Sequence, residues 1–483
     1  MSTTIWEEKI YTSGGFVAGE GGTLDVLAPA TGEVIATVGQ ATTADLDTAV
    51  AEATKAQVAW AALPYTERAA VMAKASAILK AAPERLTDWL IPESGSGAGK
   101  AAFEAGLVVS EFAEGAGLAA QPYGQLLRSM KPRTSIGRYV PVGVVGVISP
   151  FNFPSILSAR SIVPALALGN AVILKPDPRT PVAGGLTLAE ILAEAGLPDG
   201  LLHVLPGGAD VGAALVAHPD VPCISFTGST AAGRKIGEAA APLLKKLHLE
   251  LGGNNALLVM PDADVDAAAS AGAWGSFLHQ GQICMTTGRH LVHRSMAEEY
   301  TAKLSEIANR ITVGDPTDPT NALGPIIDAG QLSKIDGIVR DSVAAGATLS
   351  AGGTYENLFY RPTVLSNVPH DAPAFSQEIF GPVAPITTYD TVDEAIDIIN
   401  SSEYGLSVSV LTGNPYGAFE LADRIKSGAV HINDQTVDDE AVAPFGGTKA
   451  SGTGGHFGGS ANLSTFCDLQ WVTIQSDIAR YPF

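Results

Sequence analysis

Three side chains in this sequence are of types that, brought together, do chemistry on a carbonyl carbon. Cys284 stands in Gly281-Gln-Ile-Cys284-Met-Thr-Thr-Gly288, a bendable run with a glycine at either end. A thiolate attacks carbonyl carbon readily, and flanking glycines let backbone approach a substrate closely. Glu250 lies between Leu249 and Leu251 and is followed by Gly252 and Gly253. Apolar neighbours raise a carboxylate's pKa, as a general base working near neutral pH requires. Asn152 is a lone amide among aromatics and prolines in Pro150-Phe-Asn-Phe-Pro154, where a fixed N–H could hold a developing oxyanion. Each type also has a plain structural use: a small buried thiol, a strand-end carboxylate paired with a lysine, a turn asparagine.

The rest of the chain must position these groups. At 483 residues it is too long for one ordinary core, so two or three domains are expected. With 46% hydrophobic and 16% charged residues it reads as a soluble globular enzyme. Fifty acidic against 29 basic side chains give a net charge of −21, which argues against nucleic acid or an anionic membrane as partner. Cys223, Cys284 and Cys467 form neither a disulfide framework nor metal-binding pairs, which suits a reducing cytoplasm. The N-terminus lacks a basic stretch followed by an apolar one, and no apolar run is long enough to span a membrane. His290 and His293 have no third ligand nearby in sequence, so no metal site is expected.

Strands and helices alternate from residue 142. Strands are expected at 142–148, 171–174, 201–205 and 223–226, with helices at 154–168, 181–195, 210–217 and 230–244. That rhythm means a parallel, doubly wound sheet, which binds dinucleotides at the C-terminal ends of its strands. A second series begins with a strand at 256–259 and a helix at 265–278 and continues to about 430. Before these, 25–29 and 33–38 read as an edge hairpin. A helix starts near Thr43, capped by Thr43 and Asp45, and breaks at Pro64; a second spans 65–79, and Pro83 starts a third. Trp60 and Trp89 are expected in the core. The segment 132–141 is extended and fits no βα unit. No GxGxxG follows a strand, and Gly228-Ser-Thr-Ala-Ala-Gly233 lacks the lysine that a phosphate loop carries after its second glycine.

Together these segments resemble the aldehyde dehydrogenase superfamily, and the likeness runs from about residue 20 to the C-terminus. It is carried by Glu250-Leu-Gly-Gly253, Gly281-Gln-Ile-Cys284 and Pro150-Phe-Asn-Phe-Pro154. Phe226-Thr-Gly-Ser-Thr230, Gln377-Glu-Ile-Phe-Gly-Pro382, Pro444-Phe-Gly-Gly447 and Lys449-Ala-Ser-Gly452 agree. Lys175-Pro-Asp-Pro-Arg-Thr180 and His431-Ile-Asn-Asp-Gln-Thr-Val437 resemble the benzaldehyde and vanillin dehydrogenase branch. The family also lacks the usual dinucleotide fingerprint.

The resemblance implies an α/β fold with a doubly wound cofactor domain (1–122 and 142–251, with part of 453–466). A second α/β catalytic domain would span 252–452, and a small oligomerisation β-arm 123–141 and 467–483. In the family such an arm pairs across subunits, making this a homodimer or homotetramer, and 470–477 resembles its partner strand. The implied reaction is NAD(P)-dependent oxidation of an aldehyde to an acid. Cys284 forms a thiohemiacetal and then a thioester, Asn152 and the Cys284 N–H hold the oxyanion, and Glu250 activates water. CoA-acylating relatives lack that carboxylate, so water is the expected acceptor.

The same resemblance places Ser149, Pro150, Phe151, Gly228 and Leu251 at the cofactor, Ser229 at the pyrophosphate and Gly208 on the adenine side. Lys175 would meet the adenosine ribose, Glu378 the nicotinamide ribose and Phe380 the nicotinamide. Pro178 stands where NAD-preferring members often carry a glutamate, so NAD is expected to be preferred with NADP tolerated, Arg179 assisting. Phe153, Leu157, Leu278, Ile283, Met285 and Phe445 are expected to line an apolar substrate tunnel, with Arg160 beside it to meet a phenol or carboxylate or to form a structural ion pair. Such a lining suits an aromatic aldehyde; an aliphatic aldehyde or semialdehyde is the second reading. A thiol hydrolase built on Cys284, His431 and Asn433, which follow in that chain order, is the rival of a different class.

Overall fold

The computed structural model describes residues 5–483; the first four, part of the stretch read for a leader, lie outside the described residues. The expected βα alternation forms a seven-stranded sheet. Its order is Lys246–Glu250, Cys223–Thr227, Val144–Ile148, Ala171–Lys175, Leu202–Val204, Lys9–Thr12, Gly15–Ala18. The first five strands run parallel, and the last two add an antiparallel edge. Val144–Ile148 and Ala171–Lys175 are almost wholly buried runs of Val, Ile, Leu and Ala, as strands covered on both faces must be. The chain leaves Val144–Ile148 toward one side and returns to its other side as Cys223–Thr227. The order reverses between these two strands, and the crevice at their C-terminal ends is where such sheets hold ligands.

A second seven-stranded sheet has the order Thr348–Ala351, Thr363–Ser366, Val383–Tyr389, Thr287–His293, Asn255–Val259, Ser407–Leu411, Ala429–Ile432. All but the first of its strands run parallel. Only four residues separate Glu250, which ends the last strand of the first sheet, from Asn255, which begins the first strand of the second. This short crossing, and the turn before Thr287, bring Glu250 and Cys284 to the junction of the two sheets.

Three of the N-terminal helices are Thr43–Ala62, Tyr65–Ala81 and Glu84–Ser94. The first is capped by Thr42, not Thr43. Thr42 Oγ1 accepts from the Asp45 N–H (3.2 Å), and Asp45 Oδ2 accepts from the Thr42 N–H (2.8 Å). This reciprocal pair satisfies two donors, which a cap at Thr43 would not. Trp60 is buried and donates to the Leu166 carbonyl, while Trp89 is partly buried edge-on to Trp6. A fourth helix, Ala98–Leu118, packs on Pro154–Ala167. The helix expected at 181–195 begins as a wide turn, Val182–Leu186, whose Val182 and Ala183 N–H groups donate to the Glu93 carboxylate. The one expected at 230–244 ends at Ala240 and tightens before Leu244. His290 bonds Ser276 and Tyr300, and His293 bonds Ser295. No helix among the described residues is long and apolar enough to cross a membrane.

The extended segment is the strand Thr134–Pro141. It pairs with Cys467–Ile474 over eight residues and with Gly124–Leu126 on its other side, all antiparallel. The expected partner strand is thus found within the same chain, three residues earlier than read from the sequence. Leu126, Leu469, Trp471 and Ile474 remain exposed on this small sheet.

Candidate active site

A cleft of about 1000 Å³ opens at the strand-order reversal. Its walls come from the loop after Val144–Ile148 (Ser149, Pro150, Phe151, Asn152) and from the turn after Cys223–Thr227 (Gly228, Ser229). Lys175, Leu251, Gly252, Cys284, Glu378 and Phe380 line it too, as do Asp177, Arg179, Gln331 and Lys334. A second, smaller chamber of about 450 Å³ is lined chiefly by apolar side chains, among them Phe153, Ile156, Leu157, Ile283, Met285, Val437 and Phe445. Asn152, Leu157 and Cys284 line both. The thiol therefore stands where the two spaces meet.

The turn carrying Cys284 is pinned from both sheets. Asn255 Nδ2 donates to the carbonyls of Cys284 (2.8 Å) and Thr286 (2.9 Å). Asn152 Nδ2 donates to the Gln282 carbonyl at 2.8 Å, which leaves the second N–H of that amide for an oxyanion. Just upstream, His279 (φ 48°) and Gln280 (φ 56°) hold left-handed conformations that side chains rarely adopt. Such strain persists where the surroundings over-determine it. Gly281 (φ 64°) is held for a reason the sequence did not reveal. A Cβ there would lie 2.1 Å from the Gly381 carbonyl oxygen, so the glycine admits the 377–382 segment, not a substrate. That segment brings Phe380 to the cleft, itself at φ 54° and 6.0 Å from the Phe151 ring.

Burial pushes the Cys284 thiol up to about 12, and the carboxylates Glu250, Glu378 and Asp439 push the same way. Burial also raises Glu250 well above the usual carboxylate range, against the pull of Arg160 and the Gly447 amide. Among the described residues, neither Glu250 oxygen has a hydrogen-bond partner; His248 Nε2 is 3.4 Å from Oε1. Glu250, expected as a catalytic residue, lines neither space but is the foremost charge acting on the thiol. A protonated thiol and a high-pKa carboxyl so placed can exchange a proton and activate water.

The cleft suits a dinucleotide. Ser229 caps the helix Thr230–Ala240, whose N-terminus, with Gly228 before it, offers N–H groups and positive dipole to a diphosphate. Glu378 Oε1 accepts from the Gly253 N–H at 2.9 Å, and its carboxylate fills the space a Cβ on Gly252 would take (2.4 Å from Oε2). It can accept from ribose hydroxyls. Lys175, at a strand end, is largely buried in the same cleft.

Gly208 and Leu278, also expected at the site, do not line these spaces. Gly208 caps the helix Ala209–Ala217, and Leu278, after the helix end at Phe277, packs against the core cluster that includes the chamber's apolar side chains. Arg160 lines the chamber and is ion-paired with Asp439. Arg179 lines the cleft, where its guanidinium lies over the Phe151 ring and pairs with Asp177 and Asp328. His431 and Asn433 make no bond to Cys284 among the described residues. Asn433 Oδ1 accepts from the Thr412 N–H, and the groups that act on the thiol are carboxylates. That removes the basis for a Cys–His–Asn hydrolase.

Sequence reasoning missed Phe103, Leu107, Ile156, Val437 and Asp439 in the chamber. Phe103 and Leu107 share one helix face, a signal that the spacing carries. Asp439 sits in the acidic run Asp438-Asp-Glu440, which reads as a solvated loop.

Comparison with known proteins agrees with this geometry. The chain is 55% identical over 479 residues to vanillin dehydrogenase of an Amycolatopsis strain, covering 99% of this chain and 98% of that one. It is 48% identical over 480 residues to the NAD(+) benzaldehyde dehydrogenase of Pseudomonas putida, with the same coverage. The fold matches the NAD+ complex of aldehyde dehydrogenase from Bacillus cereus with a TM-score of 0.94 at 33% identity, covering 98% of this chain and 97% of that one. Residues 16–472 match the model of the aldehyde dehydrogenase family, and the chain belongs to that family.

Proposed function

We propose that this enzyme oxidises aromatic aldehydes to carboxylic acids, with NAD as hydride acceptor. The observation that carries the reading is the sharing of Cys284, Asn152 and Leu157 between the cleft at the strand-order reversal and an apolar chamber. An aldehyde carbon at the sulfur then has its ring in the chamber and its hydrogen toward the cleft. The names of the two relatives and the cofactor in the Bacillus cereus complex support the substrate and cofactor choices.

Glu250 takes the thiol proton, directly or through water, and Cys284 adds to the carbonyl carbon. Asn152 and the Cys284 N–H stabilise the oxyanion. Bound NAD supplies the acceptor for the hydride that leaves the thiohemiacetal. Collapse gives a thioester on Cys284. Glu250, having passed the thiol proton to solvent and turned from its buried position toward the sulfur, takes a proton from water, which attacks the thioester; the C–S bond breaks, the acid leaves and the Cys284 sulfur is restored. The chain divides this work between a cofactor domain (1–122, 142–251 and part of 453–466) and a catalytic domain (252–452), with 123–141 and 467–483 forming the arm of a dimer or tetramer.

The test is kcat/KM on benzaldehyde, vanillin, hexanal and succinate semialdehyde. The aromatic pair should lead; higher values for the aliphatic pair would overturn the aromatic assignment. With Pro178 in place of a ribose-binding carboxylate, NADP is tolerated while NAD is preferred. A preference above about a thousandfold, roughly 4 kcal/mol, would overturn that tolerance.

A further inference from the structure

Most of the chamber behind Cys284 is apolar, yet Arg160 and Asp439 meet there as an ion pair. A buried ion pair is poor evidence for stability, because removing both charges from water costs about what their attraction returns. This pair is also incompletely used. Among the described residues, Arg160 Nε and Asp439 Oδ1 are buried without a hydrogen-bond partner, so one unspent donor and one unspent acceptor belong to the same pair. The guanidinium lies over the rings of Phe445 (4.9 Å) and Phe457 (5.6 Å), which fix its plane.

We propose that Arg160 and Asp439 form a subsite for a ring hydroxyl, so that the enzyme favours phenolic aldehydes over those with hydrogen, ether or carboxylate at that place. The proposal rests on the aromatic reading above and specifies its substrate class. A hydroxyl both gives and accepts a hydrogen bond, and so answers Oδ1 and Nε–H together. An ether oxygen satisfies only the donor and leaves the Asp439 acceptor buried and unpaired, an outcome that discriminates strongly between otherwise similar ligands. A carboxylate fares worse. It brings no proton for Asp439 Oδ1, and its charge meets that of Asp439, which is already paired with Arg160.

The experiment compares 4-hydroxybenzaldehyde, 4-methoxybenzaldehyde, benzaldehyde and 4-formylbenzoate on the full-length enzyme with NAD, with hexanal alongside. At a pH below the phenol's own pKa, where the hydroxyl is un-ionised, hydroxyl and methoxy groups donate electrons to the ring similarly, so their ratio of kcat/KM there reads recognition more than reactivity. The expected ratio is about tenfold, as a charged hydrogen bond supplies, with the formylbenzoate lowest. In Asp439→Asn the ratio should fall at least about threefold, and in Asp439→Ser likewise, should the first variant not fold. A ratio taken within one protein cancels any loss of active fraction. A wild-type ratio below about fivefold, or one that falls less than about threefold in the variant, overturns the subsite. Hexanal turned over faster than every ring compound would instead overturn the aromatic reading, since the hydroxyl-to-methoxy ratio is measured independently of it.

Discussion

Burial keeps Cys284 as a thiol. Its pKa is pushed up to about 12 by burial and by the carboxylates around it, and burial raises Glu250 as well. A raised thiol pKa means the thiolate fraction grows with pH, so alkylation of Cys284 by iodoacetamide should be slow at pH 7 and still rising at pH 10. A plateau near pH 7 would show a stabilised thiolate and contradict this resting state. Cys284, Glu250 and Asn152 were legible because reactive types stood among glycines, prolines and apolar residues, where a merely solvated side chain is out of place. Asp439 was not. Its burial comes from Arg160, which is 279 residues away in sequence, and no local pattern carries that information.

The helix Ala98–Leu118 orients the oxyanion-side loop. Lys100 and Glu104, one turn apart and both buried, form an ion pair. Lys100 Nζ donates to the Asn152 carbonyl (2.8 Å), and Glu104 Oε1 accepts from the N–H groups of Ser155 (2.8 Å) and Ile156 (3.2 Å) at the start of Pro154–Ala167. One pair thus fixes the Asn152 backbone and caps the helix that follows it. Lys100→Met leaves the Glu104 charge unpaired and should cost about 3–5 kcal/mol of stability. It should also lower kcat, because Asn152 loses an anchor; thermal unfolding and steady-state assays check both. An unchanged melting temperature would mean the pair is dispensable. The sequence hid this helix. Gly99, Gly106, Gly115 and Gly117 weaken its propensity, and Lys100, Glu104 and Glu111 interrupt its apolar stripe although all three are buried. The βα series showed plainly, because its doubly covered strands are continuous apolar runs. The cap was misplaced by one residue because two threonines adjoin and only one is answered by Asp45.

Across the whole molecule, two sheets place the Cys284 thiol at the meeting point of two spaces, and a third, small sheet faces outward. Its exposed Leu469, Trp471 and Ile474 leave an apolar surface that monomers rarely keep bare. Leu469→Glu with Ile474→Glu should shift the protein toward monomer by light scattering, and an unaltered mass would place the interface elsewhere. The central claim is that the acyl group passes through the sulfur of Cys284 and is released by Glu250. It is tested most directly by mixing Glu250→Gln with NAD and benzaldehyde and mapping the mass of the Cys284 peptide. Expected are a burst of about one NADH per chain, a benzoyl adduct on Cys284 that persists, and steady turnover reduced about 10²–10⁴-fold. Full steady turnover with no adduct on that peptide would contradict it.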